Sequence, residues 1–256
     1  MGERERRRSG GHRDGRGGRV NLVAETIGWL ADPVHWAGPS GIPSRVVEHL
    51  ALSLAALLIS ALIALPVGLW AGHTRRGDRV VVNAANLGRA VPSLAVIGIA
   101  VPFTVLIDPQ LGFKVLPTLI AMVALGVPPI LVNAITGIRE VDADLVEAAR
   151  GMGLTGVAVL RDVEVPLALP AIAAGVGSAA VQIIATATLG ALFGFGGLGS
   201  YIAEGIAQND HGMIFGGVVL VAALALSAQA MFSFAARALA GPGVGRNVPV
   251  EQSRAT

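Results

Sequence analysis

Long uncharged apolar runs are the feature that most restricts what this chain can fold into. The run 50–71, LALSLAALLISALIALPVGLWA, carries no charged residue. At about 1.5 Å of rise per residue, a helix of this length crosses the roughly 30 Å hydrocarbon core of a bilayer. Within lipid the backbone must satisfy its own hydrogen bonds, which a helix does and an open strand does not. The run therefore predicts a membrane-spanning helix.

The composition of the whole chain agrees with a membrane protein. Hydrophobic residues make up 53% of the 256 residues, charged residues make up 14%, and the mean hydropathy is +0.67. These values exclude an ordinary soluble domain. The chain has no cysteine, which excludes disulfides and thiolate metal sites. We expect an all-α membrane protein with five transmembrane helices, at residues 50–71, 82–107, 115–138, 166–192 and 213–239.

The arginines set the expected orientation. Three arginines follow the first run within residues 75–79, and basic residues next to a span favour the cytoplasmic side. Five spans in the cell membrane then place the N-terminus outside and the C-terminus in the cytoplasm. A sixth span within residues 20–48 would keep the basic N-terminal tail inside. Glu25, Asp32 and His35 make such a span costly, because each would enter the hydrocarbon.

Shifts in composition divide the chain into four parts. Residues 1–19 are rich in arginine and glycine without apolar periodicity, which is typical of a disordered tail. Residues 20–48 mix apolar and polar residues and include two tryptophans. This mixture predicts a segment at the membrane interface. Residues 49–240 are the expected transmembrane domain, and residues 241–256 are an expected cytoplasmic C-terminal tail.

The longest polar interruption between apolar runs, residues 140–170, has the pattern of a docking element. Asp144 followed three residues later by Glu147 predicts a capped helix start. Gly153 can end that helix, because glycine adopts the left-handed conformation without steric cost. Apolar residues recur at helical spacing between these limits, at Leu145, Ala148, Ala149 and Met152. The pattern predicts a short helix with one apolar face.

A second short helix is expected before the fourth span. Thr155 can cap this helix, which would extend through Arg161, and Pro166 and Pro170 open the span. A compact helix pair between two spans indicates a surface that contacts a cytoplasmic partner. The alternative is an amphipathic loop without a partner.

The spacing of this stretch resembles the EAA loop of ABC-importer permeases. The tripeptide Glu-Ala-Ala at 147–149 is followed after three residues by Gly153. Nine further residues lead to the sequence Val-Glu-Val-Pro at 163–166, where the loop has Ile-x-Leu-Pro. Valine replaces both apolar residues and keeps their branched character.

This resemblance implies a type I ABC importer permease, with a coupling helix at about 144–153 that contacts an ATPase subunit. The residues expected in this coupling are Asp144, Glu147, Ala148, Ala149, Gly153 and Pro166. Glu147 is the expected charged contact, the two alanines allow close approach and Gly153 sets a bend. The chain has one lysine, Lys114, and no phosphate-binding loop. ATP hydrolysis is therefore expected in a separate subunit, and this chain is not expected to be an enzyme.

Two further stretches resemble permeases for glycine betaine, choline and carnitine. They are GRAVPSLA at 88–95 and LGALFGFGGLGSYI at 189–202, and the overall resemblance covers about residues 45–237. It implies an outer loop that faces a substrate-binding protein through Gly196, Gly197, Gly199 and Tyr201. Methionine-uptake permeases are similar in size and span count and are an alternative. An ATP-independent channel or membrane scaffold is a third possibility, which the EAA-like spacing disfavours.

The resemblance also implies a second permease subunit, either another copy of this chain or a related one. Aromatic residues are only 4% of the chain, which leaves few rings for an aromatic cage around a quaternary ammonium group. We therefore expect substrate selectivity mainly in the binding protein. The basic residues lie in a tail and in short loops, so nucleic-acid binding is not expected, nor is a cofactor.

Polar residues inside the predicted spans are candidates for a transport pathway, because they are costly in lipid and often functional. The same side chains can instead hydrogen-bond between helices, and the sequence leaves both interpretations open. The candidates are Asn86, Arg89, Asn133, Gln182, Thr186 and Thr188.

Overall fold

The computed structural model describes residues 15–75, 82–83 and 91–239, with side chains from residue 22 onward. Every regular element in this part of the chain is helical. The α-helices are α1 (Gly15–Ala31), α2 (Ile42–Thr74), α3 (Ser93–Thr104), α4 (Leu111–Lys114), α5 (Leu116–Arg139), α6 (Ala143–Gly151), α7 (Gly156–Val159), α8 (Val165–Ala187), α9 (Gly199–Gln208) and α10 (His211–Leu239). Two 3₁₀ segments cover Pro33–Trp36 and Thr188–Phe193, and a π-helical turn covers Leu160–Glu164.

Four helical stretches in the described part are long and apolar enough to cross a membrane. They are Ile42–Thr74, Leu111–Arg139, Gly156–Phe193 and His211–Leu239. Each contains one of the predicted spans, namely the first, third, fourth and fifth, and confirms that these runs are helical. The second predicted span, 82–107, is represented by the 12 residues of α3. Residues 84–90 lie outside the described part, so the count of five spans stays a prediction.

The helix α2 begins earlier than the sequence predicts. Gly41 is its N-cap and Pro43 lies in its first turn, where a missing N–H leaves no hydrogen bond unmade. Residues 42–48, which we expected in the interfacial segment 20–48, are therefore the first turns of the first span helix. The helix ends at Thr74.

The N-terminal helix α1 packs against α10 and runs antiparallel to it. Trp29 lies so close to Gly216 that a Cβ added to this glycine would be 2.4 Å from the indole ring. Earlier in α1, Leu22 and Thr26 share a groove with Val219, farther along α10. The helix bundle therefore holds the start of segment 20–48. Its placement at the membrane interface stays a prediction.

The helices α2, α5 and α8 form the centre of the bundle. A Cβ on Gly68 of α2 would lie 2.8 Å from the Cβ of Ala134 on α5. Lipid tails are as apolar as leucine, so close packing through small residues is what favours helix association in a bilayer. The fully buried side chains of this core include Ala56, Ala64, Met122, Ile130 and Ile183.

The helix α10 lies at the edge of the bundle. None of the residues in its most apolar window is buried, and Leu226, Met231 and Phe234 are among its exposed side chains. Acyl chains solvate such side chains as well as protein does. An exposed apolar face is therefore compatible with a helix that faces lipid.

Candidate functional site

Two polar regions lie at opposite ends of the bundle. The stretch 142–166, between α5 and the body of α8, is here named the coupling stretch, and its end of the bundle is named the inner end. The loop 194–198 before α9 is named the glycine loop, and its end is named the outer end. The helix α2 joins the two regions. Glu48 and His49 bond to the glycine loop, and His73 bonds to the coupling stretch.

The helix α6 is capped by Asp142 rather than by Asp144. Oδ1 of Asp142 accepts a hydrogen bond from the backbone N–H of Asp144 at 2.9 Å. The predicted capping box from Asp144 to Glu147 is therefore wrong, because Asp144 already lies in the first turn of the helix. Its carboxylate still stabilises the helix there, near the positive end of the helix dipole.

The other end of α6 is closed by the predicted glycine. Gly153 has a φ of 86°, and its N–H donates to the carbonyl of Arg150 at 2.9 Å. The N–H of Leu154 donates to the carbonyl of Ala149 at 3.2 Å. These two bonds form a Schellman motif, in which the residue after the cap takes the left-handed conformation. The prediction that Gly153 ends the helix is confirmed.

The apolar residues of α6 mostly face solvent. Ala149 is buried, and α6 packs against α7 and the π turn. Leu145 and Met152 are 51% and 75% exposed, and Glu147 and Ala148 are exposed as well. Of the four residues in the expected apolar face, one therefore packs against this chain and three are open to a partner.

The second helix of the coupling stretch begins as predicted but does not end as predicted. Oγ1 of Thr155 accepts a hydrogen bond from the N–H of Ala158 at 3.3 Å. The chain then stays helical from Gly156 to Phe193. The expected separate helix through Arg161 is thus the first part of the fourth span helix.

The π turn explains how this helix passes through Pro166. A proline cannot donate to the carbonyl four residues earlier, and its ring crowds that carbonyl. In the π turn the N–H of Val165 reaches back to the carbonyl of Leu160, one residue farther than in an α-helix. The wider turn gives the proline ring room without breaking the helix.

A partly buried hydrogen bond joins the coupling stretch to α2. Nδ1 of His73 lies 2.5 Å from Oε2 of Glu164, and Glu164 is 5% exposed. An ionised carboxylate only accepts hydrogen bonds, so the Nδ1–H of His73 is the donor. In the EAA-like pattern Glu164 occupies only a spacer position, and its contact with His73 was not predicted from the sequence. The missed signal is a charged residue between two valines at the start of a span, where it needs a partner.

Two pathway candidates, Gln182 and Thr186, line a cleft between α3 and α8. The cleft has a volume of about 360 Å³, and its other lining residues are Ser93, Ser178, Val181, Ala185 and Leu189. Gln182 is exposed, and the Thr186 hydroxyl donates to the Gln182 carbonyl at 2.8 Å. Among the described residues, the lining presents hydroxyl and amide groups without a formal charge.

Two other pathway candidates, Asn133 and Thr188, do not line this cleft. Asn133 donates to a carbonyl of its own helix at 2.8 Å and packs closely against Gly175, which favours the packing interpretation. The Thr188 hydroxyl also bonds to a nearby carbonyl, at 2.7 Å. Asn86 and Arg89 lie outside the described residues.

The glycine loop is fixed by two side chains of α2. The N–H of Gly197 donates to Oε2 of Glu48 at 2.9 Å, and the N–H of Leu198 donates to Nδ1 of His49 at 3.3 Å. Three glycines of this loop have φ values between 64° and 91°, a region that glycine adopts without steric cost. The loop is a tight turn tied to the first span helix.

His49 is buried with its tautomer fixed by its surroundings. The side chain is fully buried, and its Nδ1 accepts the hydrogen bond from Leu198. The ring hydrogen is therefore on Nε2, which donates to the carbonyl of Ile184 at 3.0 Å. One imidazole thus joins α2, α8 and the glycine loop. Neither Glu48 nor His49 was predicted from the sequence to have this role.

The residues expected to face a binding protein are mostly buried. Gly197, Gly199 and Tyr201 are buried, and Gly196 is partly exposed. A Cβ on Gly199 would lie 2.4 Å from the carbonyl oxygen of Thr188. The Tyr201 hydroxyl donates to a backbone carbonyl before α2 at 2.7 Å, and burial raises the pKa of this phenol. The expectation that all four face a partner is corrected: three of them hold the outer end together.

The side chains in the described part do not assemble a centre for covalent chemistry. No group of three or more His, Asp or Glu residues in this part is placed to hold a metal ion. The described residues instead supply a helix with exposed apolar side chains, a cleft lined by uncharged polar groups and polar ties between helices.

A protein-family model matches most of the chain. The model is described as the binding-protein-dependent transport system inner membrane component, and it matches residues 64–246. The matched region includes the coupling stretch, the cleft and the glycine loop.

Curated relatives match over similar lengths. The choline transport system permease protein OpuBB of Bacillus subtilis is 34% identical over 79% of this chain and 90% of that protein. The glycine betaine/carnitine/choline transport system permease protein OpuCB of the same organism is 36% identical over 70% of this chain and 79% of that protein. The osmoprotectant import permease protein OsmW of Salmonella typhimurium is 33% identical over 79% of this chain and 91% of that protein.

A solved structure has the same fold. A chain of the MetNI methionine ABC transporter, in an inward-facing conformation, has a TM-score of 0.68 and 25% identity. The match covers 76% of this chain and 94% of that chain. The expected type I ABC importer permease fold is thereby confirmed. The chain belongs to the family of inner-membrane components of binding-protein-dependent transport systems, the permease subunits of ABC importers.

Proposed function

We propose that this permease imports small osmolytes such as glycine betaine, choline or carnitine, driven by separate ATPase subunits. Its curated relatives at 33–36% identity are named for these substrates. The methionine transporter is a structural neighbour at 25% identity, so the osmolyte has more support than methionine. Membership of a binding-protein-dependent family argues against an ATP-independent channel or scaffold.

The exposed face of α6 is the observation that carries the proposal. Leu145 and Met152 are large apolar side chains more than half exposed on a capped helix, and Glu147 lies between them in sequence. Apolar side chains left in water beside a charge are typical of a protein contact. In the proposal Glu147 is the charged contact to the ATPase and Ala148 allows close approach.

The remaining coupling residues have supporting roles. Ala149 is buried and anchors α6 to its own chain, and Gly153 fixes the bend after it. Asp144 stabilises the first turn. Pro166 lies in the first turn of α8, just after the π turn, where the coupling stretch continues into the span. Closure of two ATPases would displace α6 and change the side of the membrane to which the cleft opens.

The cleft beside Gln182 supports a second permease subunit. Polar groups such as Ser178 and Gln182 are exposed on the surface of α8, and exposing them to lipid is costly. A second copy, or a related permease, would cover this face and enclose the pathway between the subunits. The described residues that line the cleft include no aromatic ring, which supports selectivity in the binding protein rather than here.

The outer end supports docking of a substrate-binding protein. In the glycine loop Gly194 is exposed and Gly196 is partly exposed, whereas Gly197 is buried. Leu192, in the 3₁₀ segment before the loop, is also exposed. The outer end therefore offers backbone and one apolar side chain on a rigid base. A partner that delivers substrate would contact this surface.

We propose an orientation with the coupling stretch and the C-terminus in the cytoplasm. The packing of α1 argues against the expected outside location of the N-terminus, because Leu22 and Thr26 lie beside Val219, farther from the outer start of α10 than the contact of Trp29 with Gly216. A reporter enzyme fused before residue 1 tests this point directly, since it is active on one side of the membrane only.

The proposal is tested by the change Glu147→Arg. Reversal of this charge should lower osmolyte uptake by about tenfold or more, the equivalent of roughly 1.4 kcal/mol of lost contact energy. Uptake of labelled glycine betaine, choline and carnitine is measured in cells, and chains that co-purify in mild detergent are identified by mass.

The matched control is Glu204→Arg, which makes the same charge change at an exposed position of α9. This variant should retain the ATPase and normal uptake. Normal uptake by Glu147→Arg would contradict the docking role. Absence of any ATPase from the wild-type preparation would contradict the proposal that this chain works in an ATP-driven importer.

A further inference from the structure

His73 bonds to one end of the helical segment that separates the coupling helix from the span, and lies near its other end. Its Nδ1–H donates to Glu164 at 2.5 Å, at the end of the π turn. Its Nε2 would lie 3.4 Å from a Cβ added to Gly156, at the start of α7. This is an ordinary van der Waals separation, so the imidazole lies close to the start of the segment as well as to its end.

The coupling helix rests on the same segment. α6 packs against α7 and the π turn, and its buried residue is Ala149. A displacement of α6 therefore acts first on residues 156–164. This segment continues covalently into α8, whereas it is joined to α2 through noncovalent contacts that include His73.

We propose that the His73–Glu164 hydrogen bond is a positioning contact that makes α2 move together with α8 when the coupling helix is displaced. This inference rests on the proposed function, because it requires an ATPase that moves α6. Burial gives the contact its strength, since a carboxylate that is 5% exposed is poorly solvated when its partner leaves.

The other end of α2 shows what this motion would reach. Glu48 and His49 hold the glycine loop through the hydrogen bonds to Gly197 and Leu198. A shift of α2 along or about its axis therefore acts on the outer loop directly. Through the contact at His73, a movement at the ATPase-facing end can therefore reach the outer end along α2, without passing through the cleft.

The test is a double-mutant cycle on the full transporter. Wild type, His73→Ala, Glu164→Ala and the double variant are reconstituted with the co-purified ATPase and the binding protein. The readout is the number of glycine betaine molecules imported per ATP hydrolysed. Each single change should lower this ratio at least about fivefold, the lower limit of typical coupling between sites. The double variant should be no worse than the singles, because both changes break one contact.

Two control variants separate a positioning role from general damage. Glu164→Gln keeps an oxygen that accepts from His73 and should keep a ratio close to that of wild type. His211→Ala removes an exposed histidine at the outer start of α10 and should leave the ratio unchanged. Amounts of bound ATPase should be equal in all variants.

A cross-link makes the test independent of folding. The chain contains no cysteine, so His73→Cys combined with Glu164→Cys introduces its only two thiols. A short bifunctional thiol reagent should raise the transport ratio of this variant towards the wild-type value in the same sample. A ratio unaffected by the alanine changes, or by the cross-link, would overturn the inference. Loss of the ATPase from the wild-type complex would instead overturn the proposed function.

Discussion

The helix α6 of the coupling stretch and the glycine loop both depend on glycines with positive φ, yet they are held in opposite ways. The helix α6 is fixed by neighbours in sequence, since Asp142 caps its first turn and Gly153 closes its end on Arg150. The glycine loop is fixed from far away, since its N–H groups bond to side chains 149 positions earlier. A locally held element can move as a unit when a partner pulls on it. An element tied across the fold moves only with the helices that hold it.

The comparison predicts its largest effect at the outer end, for Gly199→Ala. The new Cβ would lie 2.4 Å from the carbonyl oxygen of Thr188 and within 2.9 Å of two other backbone atoms of that residue. Backbone cannot rotate away as a side chain does, so we expect a loss of about 1–3 kcal/mol in the free energy of unfolding. The midpoint of thermal unfolding in detergent should fall clearly.

The inner end supplies the control for this change. A Cβ added to Gly151 of α6 meets no atom within 4 Å. Gly151→Ala should be neutral or stabilise α6 by about 0.5–1 kcal/mol, because alanine restricts the unfolded chain more than glycine does. If Gly199→Ala and Gly151→Ala unfolded at the same midpoint temperature, the outer end would not be more tightly packed than the inner end.

A smaller effect is expected for Glu48→Ala. The carboxylate accepts from Gly197 at 2.9 Å and pairs with Arg45 at 3.0 Å. Its side chain is 41% exposed, so the expected loss is only about 1 kcal/mol. Hydrogen exchange at the Gly197 amide should become about fivefold faster, as that free energy implies. Unchanged protection of this amide would show that the glycine loop is held without Glu48. Glu204→Ala on α9 serves as the control.

The same contrast explains how much could be predicted from the sequence. The helix α6, its end at Gly153 and the start of α7 at Thr155 depend on residues a few positions apart, which a pattern can identify. The cap was misplaced by two residues because Asp142 and Asp144 offer the same chemistry. Local pattern alone cannot choose between them.

The long-range ties could not be predicted in this way. His49 and His73 look like isolated histidines in the sequence, and their partners are 149 and 91 positions away. Polar residues in spans were equally ambiguous: Gln182 faces the cleft, whereas Asn133 packs against Gly175. Which face of a helix is covered depends on neighbouring helices, and periodicity within one helix does not specify them.

The smallest expected effect tests whether α6 is held mainly by residues close to it in sequence. Asp142→Ala removes the cap of α6 and should cost about 1 kcal/mol, whereas Asp144→Ala removes a first-turn charge and should cost about 0.3–0.5 kcal/mol. Amide exchange within 144–148 should accelerate more in the first variant. The reverse order would restore Asp144 as the cap.

Because α6 can open without disturbing α2 or α8, neither variant should change the midpoint of global unfolding. A lower midpoint for Asp142→Ala would mean that α6 is bound into the core, and the contrast with the glycine loop would then fail.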